Sequence, residues 1–243
     1  MTTPRALVLY APGTNCHHET VYALERAGAR AELVFLQNVL RSTHNLADCD
    51  ILVAPGGFGF GDHLGAGRIL AADLVHRCPD QLEEILRRGV MVLGICNGLQ
   101  MLAETGLLGG DFNTHTRCVA LDRNRSNRFE HWGNTQVFFK QPEQGNPCLW
   151  INGLEGEGGT LPVAHAEGRP VFAPFADYRV VATYGSPEGI AEYPVSPNGS
   201  SVAAIWNNTG RIMGLMPHPE RRVDNLHGGA FGLRLFQAGV RAA

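Results

Sequence analysis

The sequence has no long hydrophobic run. No stretch of its 243 residues reaches the ~18–20 apolar positions that a membrane-spanning helix needs. It also lacks an excess of either charge. A formal net charge of −3 gives no field to draw it onto nucleic acid or an anionic membrane. No CxxC pair occurs among its six cysteines, Cys16, Cys49, Cys78, Cys96, Cys118 and Cys148. Scattered in this way, they indicate free thiols in a reducing compartment and not a disulfide framework. There is no internal repeat, coiled coil or low-complexity tract. There is no GxxxxGKS/T and no well-placed GxGxxG, so its glycine-rich stretches make a weak case for nucleotide binding. No His/Cys cluster has metal-ligand spacing, and the adjacent His17 and His18 are expected to point apart. The start, "MTTPRALVLYAPG", holds a short apolar run stopped by Pro12 and Gly13. It reads as a first strand and not a signal peptide. A cytoplasmic protein is the expectation, with no metal and no nucleic-acid or membrane partner.

What is present is an alternation. Strands are expected at Arg5–Tyr10, Ala31–Leu36, Asp50–Gly57 and Val90–Ile95. Helical patterns lie between them at about Cys16–Ala27, Leu64–Val75 and Gln81–Arg88, and another follows Ile95. This order predicts right-handed βαβ units and an α/β fold on a mostly parallel central sheet flanked by helices. After about Asp111 the texture changes to short β-rich pieces, including "NTQVFFK", "LPVAHAE" and "YRVVATYG". These read as hairpins added to one side of the sheet, before a closing helix over Gly228–Val240. The whole chain, 1–243, reads as a single domain.

Three stretches carry chemistry. In "GICNGLQ", Cys96 sits where a buried strand passes into a helix, with Gly94 and Gly98 two residues away on either side. That is the geometry of a nucleophile elbow with sulfur in place of oxygen, placing the thiol near the positive end of a helix. A buried cysteine in a glycine-punctuated loop fits these seven residues about equally well. In "GLMPHPERR", prolines flank His218 and favour an extended backbone. Glu220 then shares a side with His218 and can orient it as the base of a nucleophile–base–orienter set. A turn with a solvated carboxylate fits the tripeptide as well. In "PGGFGFGDHLGAG", the Gly57 amide, together with that of Asn97, can stabilise an oxyanion. A flexible glycine-rich loop or a phosphate cradle are the other readings.

Together and in this order, the three stretches resemble triad class I glutamine amidotransferases. With "APGTNC", "PVAHAEGR" and "SPNGS", the resemblance narrows to the glutaminase subunits of phosphoribosylformylglycinamidine synthase. It runs from about Ala6 to the C-terminal helix. It implies a flavodoxin-like sheet with an added β-rich segment. It implies Cys96 as nucleophile, His218 as general base and Glu220 as its orienter, with Gly57 and Asn97 amides lining the oxyanion hole. Gln100 would face the glutamine substrate, and the chain near His165 and Ala166 would border the same pocket. The implied partner is the synthetase subunit, with or without a small third subunit. ATP and magnesium are expected there, and no cofactor is expected in this chain. Two positions depart from the usual pattern: "GFGFGD" stands where "GFSYGD" is common, and "AHAEG" where "AHGEG" is. "RNRSNRFE" (Arg123–Glu130) fits a solvated basic loop or a docking surface. A peptidase or deglycase of the same fold, or a non-catalytic module, are the competing readings; an intact Cys, His and Glu set speaks against the second.

Overall fold

The apolar runs of the first half become strands of one sheet. In the computed structural model, which describes residues 3–110, 116–141, 147–174 and 178–243, these are β1 (Arg5–Tyr10), β2 (Arg30–Phe35), β3 (Ile51–Ala54) and β4 (Met91–Ile95). They alternate with α1 (His17–Ala27), a short α2 (Leu36–Leu40), α3 (Arg68–Arg77) and α4 (Pro79–Arg88). Helix α5 (Asn97–Thr105) follows β4 directly. The second half supplies β5 (Val119–Asp122), β6 (Glu130–Phe139), β7 (Gly158–His165), β8 (Arg169–Phe172), β9 (Arg179–Tyr184), β10 (Val202–Trp206) and β11 (Ile212–Leu215), then α6 (Phe231–Ala242). The change of texture near Asp111 falls at residues outside the described ones.

The strand order is β2-β1-β3-β4-β11-β10-β9-β6-β7. The first five strands run parallel. With β11 taken as the fifth, they reproduce the 2-1-3-4-5 order of a flavodoxin-like sheet. The remaining four join antiparallel, as expected of hairpins appended to one side. β5 and β8 form a separate antiparallel pair. Strands β3 and β4 are buried along their whole length, because helices cover both faces of a parallel sheet. No helix among the described residues is long and apolar enough to cross a membrane.

Several boundaries differ from expectation by a few residues, and two of the differences bear on the site. Helix α3 starts at Arg68 and not Leu64, because Gly65 and Gly67 both take left-handed backbone, at φ 103° and 74°. Strand β3 stops at Ala54, since the proline that follows cannot donate to a ladder. That early stop frees Pro55–Gly57 to bend over the carboxyl edge of the sheet. Ligands of open parallel sheets bind at this edge, and here the segments after β1, β3, β4 and β11 meet.

Candidate active site

Cys96 is the single residue between β4 and α5. Its backbone sits at φ 50° and ψ −103°, a conformation that costs a non-glycine residue about 1–3 kcal/mol. Neighbouring structure holds it there. The Cys96 N–H donates to the Leu215 carbonyl at the end of β11, at 2.8 Å. The flanking glycines serve close approach. A Cβ on Gly98 would lie 1.9 Å from the Ala54 carbonyl oxygen, and one on Gly94 would lie 2.6 Å from the Gly98 carbonyl oxygen. Helix α5 therefore packs directly onto β3, with its free N-terminal amides beside the sulfur. The thiol donates to the Ala164 carbonyl at 3.4 Å.

His218 and Glu220 follow β11. The extended segment expected there is instead a single 3-10 turn over Pro219–Arg221: proline's fixed φ opens such a turn as readily as it extends a chain. The two side chains still meet. His218 Nδ1 and Glu220 Oε1 are 2.6 Å apart, and both side chains are buried. A carboxylate on Nδ1 fixes that nitrogen as the protonated one and leaves Nε2 without a hydrogen-bond partner. Burial acts to strip the imidazole of its proton. The charges of Glu220 and of the Cys96 sulfur, with a contact from Cys16, outweigh it and hold the histidine pKa well above its ordinary value. Three other thiols lie where burial disfavours the thiolate. Burial pushes Cys49 and Cys148 up to about 12 and also raises Cys78, which keeps them protonated and inert.

The glycine-rich loop lies against this pair. A Cβ on Gly56 would stand 2.6 Å from His218 Cε1. Loop 56–58 is tied to residues 13–16 by Phe58 N–H to the Gly13 carbonyl, at 3.0 Å, and Cys16 N–H to the Gly56 carbonyl, at 3.2 Å. Both bonds leave the Gly57 N–H out. The Asn97 side chain joins the loop to the elbow. Its Oδ1 accepts from Gly59 N–H at 3.1 Å, and its Nδ2 donates to Asp62 Oδ1 and Gln100 Oε1, each at 3.0 Å. A Cβ on residue 59 would lie 2.8 Å from that Oδ1, so this contact depends on the departure from serine at Gly59. Burial raises the pKa of Asp62, against the hydrogen bond from Asn97.

Gln100 is buried with both ends of its amide engaged, Nε2 donating to the Glu167 carbonyl at 2.6 Å. In the 164–167 segment, Ala164 faces the thiol and Glu167 faces Gln100. The carbonyls of His165 and Ala166 are instead taken by Asn124, at 2.7 and 2.8 Å. Asn124 is a hub. Its Oδ1 lies 3.0 Å from His165 Nδ1 and accepts from Gly168 N–H at 3.2 Å. Nothing in its sequence context announced this beyond its place in "RNRSNRFE". Burial, and then the charge on His218, lowers the His165 pKa to about 3. His165 is therefore a neutral wall of the site.

Two findings at the start of α1 depart from the sequence reading. His17 and His18 do not point apart: their rings pack at 4.4 Å, and His17 also stacks on Tyr10 at 5.1 Å. The first turn of the helix lays the His17 ring against the aromatic end of β1, with the exposed His18 ring packed on its other side. Cys16, 202 positions from His218 in sequence, lies 3.9 Å from its Nδ1. Among the described residues, the donor atoms of Cys16, His218 and Glu220 form one set with metal-like spacing, all within 4.8 Å of one another. Arg221 Nη2, however, donates to the Cys16 sulfur at 3.1 Å, which sets a fixed positive charge beside one of the three donors.

Comparison with known proteins places this geometry. Residues 3–231 match the model of the CobB/CobQ-like glutamine amidotransferase domain. The phosphoribosylformylglycinamidine synthase subunit PurQ of Dehalococcoides mccartyi is 37% identical over 233 residues, covering 92% of this chain and 87% of that protein. The PurQ subunit of Pyrococcus furiosus is 37% identical over 236 residues, 96% of each chain. A chain of the solved PurLQS structure from Thermotoga maritima superposes with a TM-score of 0.79 at 32% identity, covering 99% of both.

Proposed function

The chain belongs to the CobB/CobQ-like glutamine amidotransferase family, and from that premise we propose how its own residues carry the reaction. Its function is that of the glutaminase subunit of phosphoribosylformylglycinamidine synthase. It hydrolyses L-glutamine to glutamate and ammonia, and the ammonia goes to the synthetase subunit that makes formylglycinamidine ribonucleotide in purine biosynthesis.

The Cys96 thiol passes its proton to His218, and the sulfur attacks the side-chain carbonyl carbon of glutamine. The oxyanion that forms is held by the N–H groups of Gly57 and Asn97. His218, protonated and oriented by Glu220, gives a proton to the departing nitrogen, and ammonia leaves. A glutamyl thioester on Cys96 remains. The same imidazole, now neutral, takes a proton from water, which attacks the thioester and releases glutamate and the thiol. Gln100 and the His165–Ala166 segment shape the pocket that receives glutamine. No metal or cofactor is required for these steps, and ATP and magnesium belong to the partner. The chain acts as one domain in the cytoplasm.

The observation that carries this reading is the buried 2.6 Å pair of His218 Nδ1 and Glu220 Oε1 with Nε2 left unpartnered, beside a cysteine held on a left-handed backbone. A second feature bears on regulation. Phe58, next to Gly57, is 44% exposed and stacks on Phe129, itself 48% exposed. An aromatic pair on the loop that carries an oxyanion amide suits a docked synthetase that sets that amide in place. The test is glutamate release by the pure chain, then with its synthetase, ATP and formylglycinamide ribonucleotide. Several-fold activation is expected. Equal turnover in both conditions would remove the gating step, and no turnover in either would remove the glutaminase assignment.

A further inference from the structure

Cys16 is 1% exposed, yet its surroundings are unlike those of the inert thiols. Cys49 donates to the Leu46 carbonyl, and Cys148 lies against the Met213 sulfur. The Cys16 sulfur instead has three polar neighbours. It donates to Asn15 Oδ1 at 3.1 Å, accepts from Arg221 Nη2 at 3.1 Å, and lies 3.9 Å from His218 Nδ1. Its backbone is pinned on both sides. The N–H donates to the Gly56 carbonyl at 3.2 Å, and the carbonyl accepts from Thr20 N–H at 3.1 Å and Thr20 Oγ1 at 2.7 Å. Gly56 touches both groups: a Cβ there would stand 3.3 Å from the Cys16 sulfur and from His218 Nδ1 alike.

We infer that Cys16, held by Arg221, is a positioning residue for the catalytic base: its sulfur closes the Nδ1 edge of a slot whose other wall is Gly56, so that the imidazole cannot slide away from Cys96. The inference rests on the assignment of His218 as the base. Glu220 alone fixes the tautomer but leaves the ring free to pivot about a single hydrogen bond. A sulfur at the same edge, with an arginine behind it, removes that pivot. The groups that face His218 are Glu220 on its own turn, Cys96 at the elbow, Cys16 at the start of α1 and His165 on β7. Arg221 and Tyr184 stand one step behind, through Cys16 and Cys96. Of these, Glu220, Cys96 and Cys16 all act in the same direction, favouring the imidazolium against burial.

The test uses the complex of this chain with its synthetase. Steady-state glutaminase activity is measured across pH for wild type, Cys16→Ala, Cys16→Ser and Arg221→Gln, together with the pH dependence of Cys96 alkylation by a neutral haloacetamide. Cys16→Ala is expected to lower kcat by about 10-fold with KM within about twofold, as a misplaced base does. The histidine limb of both pH profiles is expected to move to lower pH. Serine keeps the donor and acceptor roles, so Cys16→Ser is expected to recover part of the loss. Arg221→Gln, which frees the Cys16 sulfur, is expected to lower kcat in the same way in milder form. A merely structural cysteine would lower Tm and leave both limbs in place. Folded Cys16→Ala with wild-type kcat and limbs overturns the inference. If the alanine variant does not fold, wild-type kcat in folded Arg221→Gln overturns it equally. His218→Ala run alongside separates the two levels. If it is inactive while Cys16→Ala is normal, only the inference falls; wild-type turnover in His218→Ala would remove the base assignment itself.

Discussion

Gly56→Ala is a small change with a calculable consequence. Gly56 takes a backbone that alanine can adopt, since it is absent from the left-handed residues, so no conformational strain confuses the outcome. The added methyl would stand 2.6 Å from His218 Cε1. Carbon atoms rest at about 3.5–4.0 Å, so the ring must retreat by about 1 Å or the loop must lift. Either response breaks the site. A retreating ring lengthens its 2.6 Å bond to Glu220, and a lifting loop carries the Gly57 amide off the oxyanion. A misplacement of about 1 Å can cost on the order of 10²-fold in rate. Overpacking of this kind costs about 1–3 kcal/mol of stability, which a folded domain of this size can absorb. The assay is glutaminase kcat of the assembled complex, with Tm as the control for folding. The variant is expected to fold, to lose roughly 10²-fold in kcat, and to keep a Cys96 that still reacts with a small alkylating agent. A folded Gly56→Ala protein within twofold of wild type would refute the claim that the loop and the imidazole are in contact at the working site.

The other predictions concern the triad and the wall beside it. His218→Ala should reduce turnover by roughly 10²–10⁴-fold or more, and Glu220→Gln by less, because the histidine moves protons in both half-reactions and the carboxylate only orients it. A larger loss from Glu220→Gln in folded protein would reverse those roles. His165 should make the fold acid-labile. Its folded pKa of about 3 lies below the value near 6.5 of an unfolded histidine, so the unfolded chain binds more protons between the two. The stability it supports is full above about pH 6.5 and is lost as pH falls toward 3, by up to on the order of 5 kcal/mol. His165→Gln should flatten the fall of Tm over that window; identical slopes would contradict the assignment. Asn97→Ala should detach Gly59 and Asp62 from the elbow and raise KM for glutamine, while a far-ultraviolet spectrum like wild type shows the fold intact. An unchanged KM would mean that the tie does not shape the pocket.

Much of this was legible because it is local. The parallel half of the sheet follows from the alternation of apolar runs and helical segments. The elbow follows from Gly94, Cys96 and Gly98 lying within five positions. His218 and Glu220 are two residues apart and had to be close, even though the backbone between them is a 3-10 turn. What was not legible lies between distant segments. Cys16 looks like any buried small residue until β1 and β11 bring it to the back of His218. Asn124 sits in a polar loop, and its four bonds to the 165–168 stretch exist only because β5 and β8 pair. The Asn97 side chain was hidden behind its own amide, which drew attention as an oxyanion donor. The touching pair His17–His18 shows the limit of arguing from adjacency, since a helix start lets neighbouring rings meet.

The central claim is that glutamine is opened by Cys96 through a covalent thioester. The most direct measurement is rapid acid quench of the complex during turnover of labelled glutamine, followed by peptide mapping. The account predicts a glutamyl adduct on the peptide that carries Cys96, abolished in Cys96→Ser and lost on treatment with hydroxylamine. Label on Cys16 or Cys148, or steady turnover by Cys96→Ser, would contradict it.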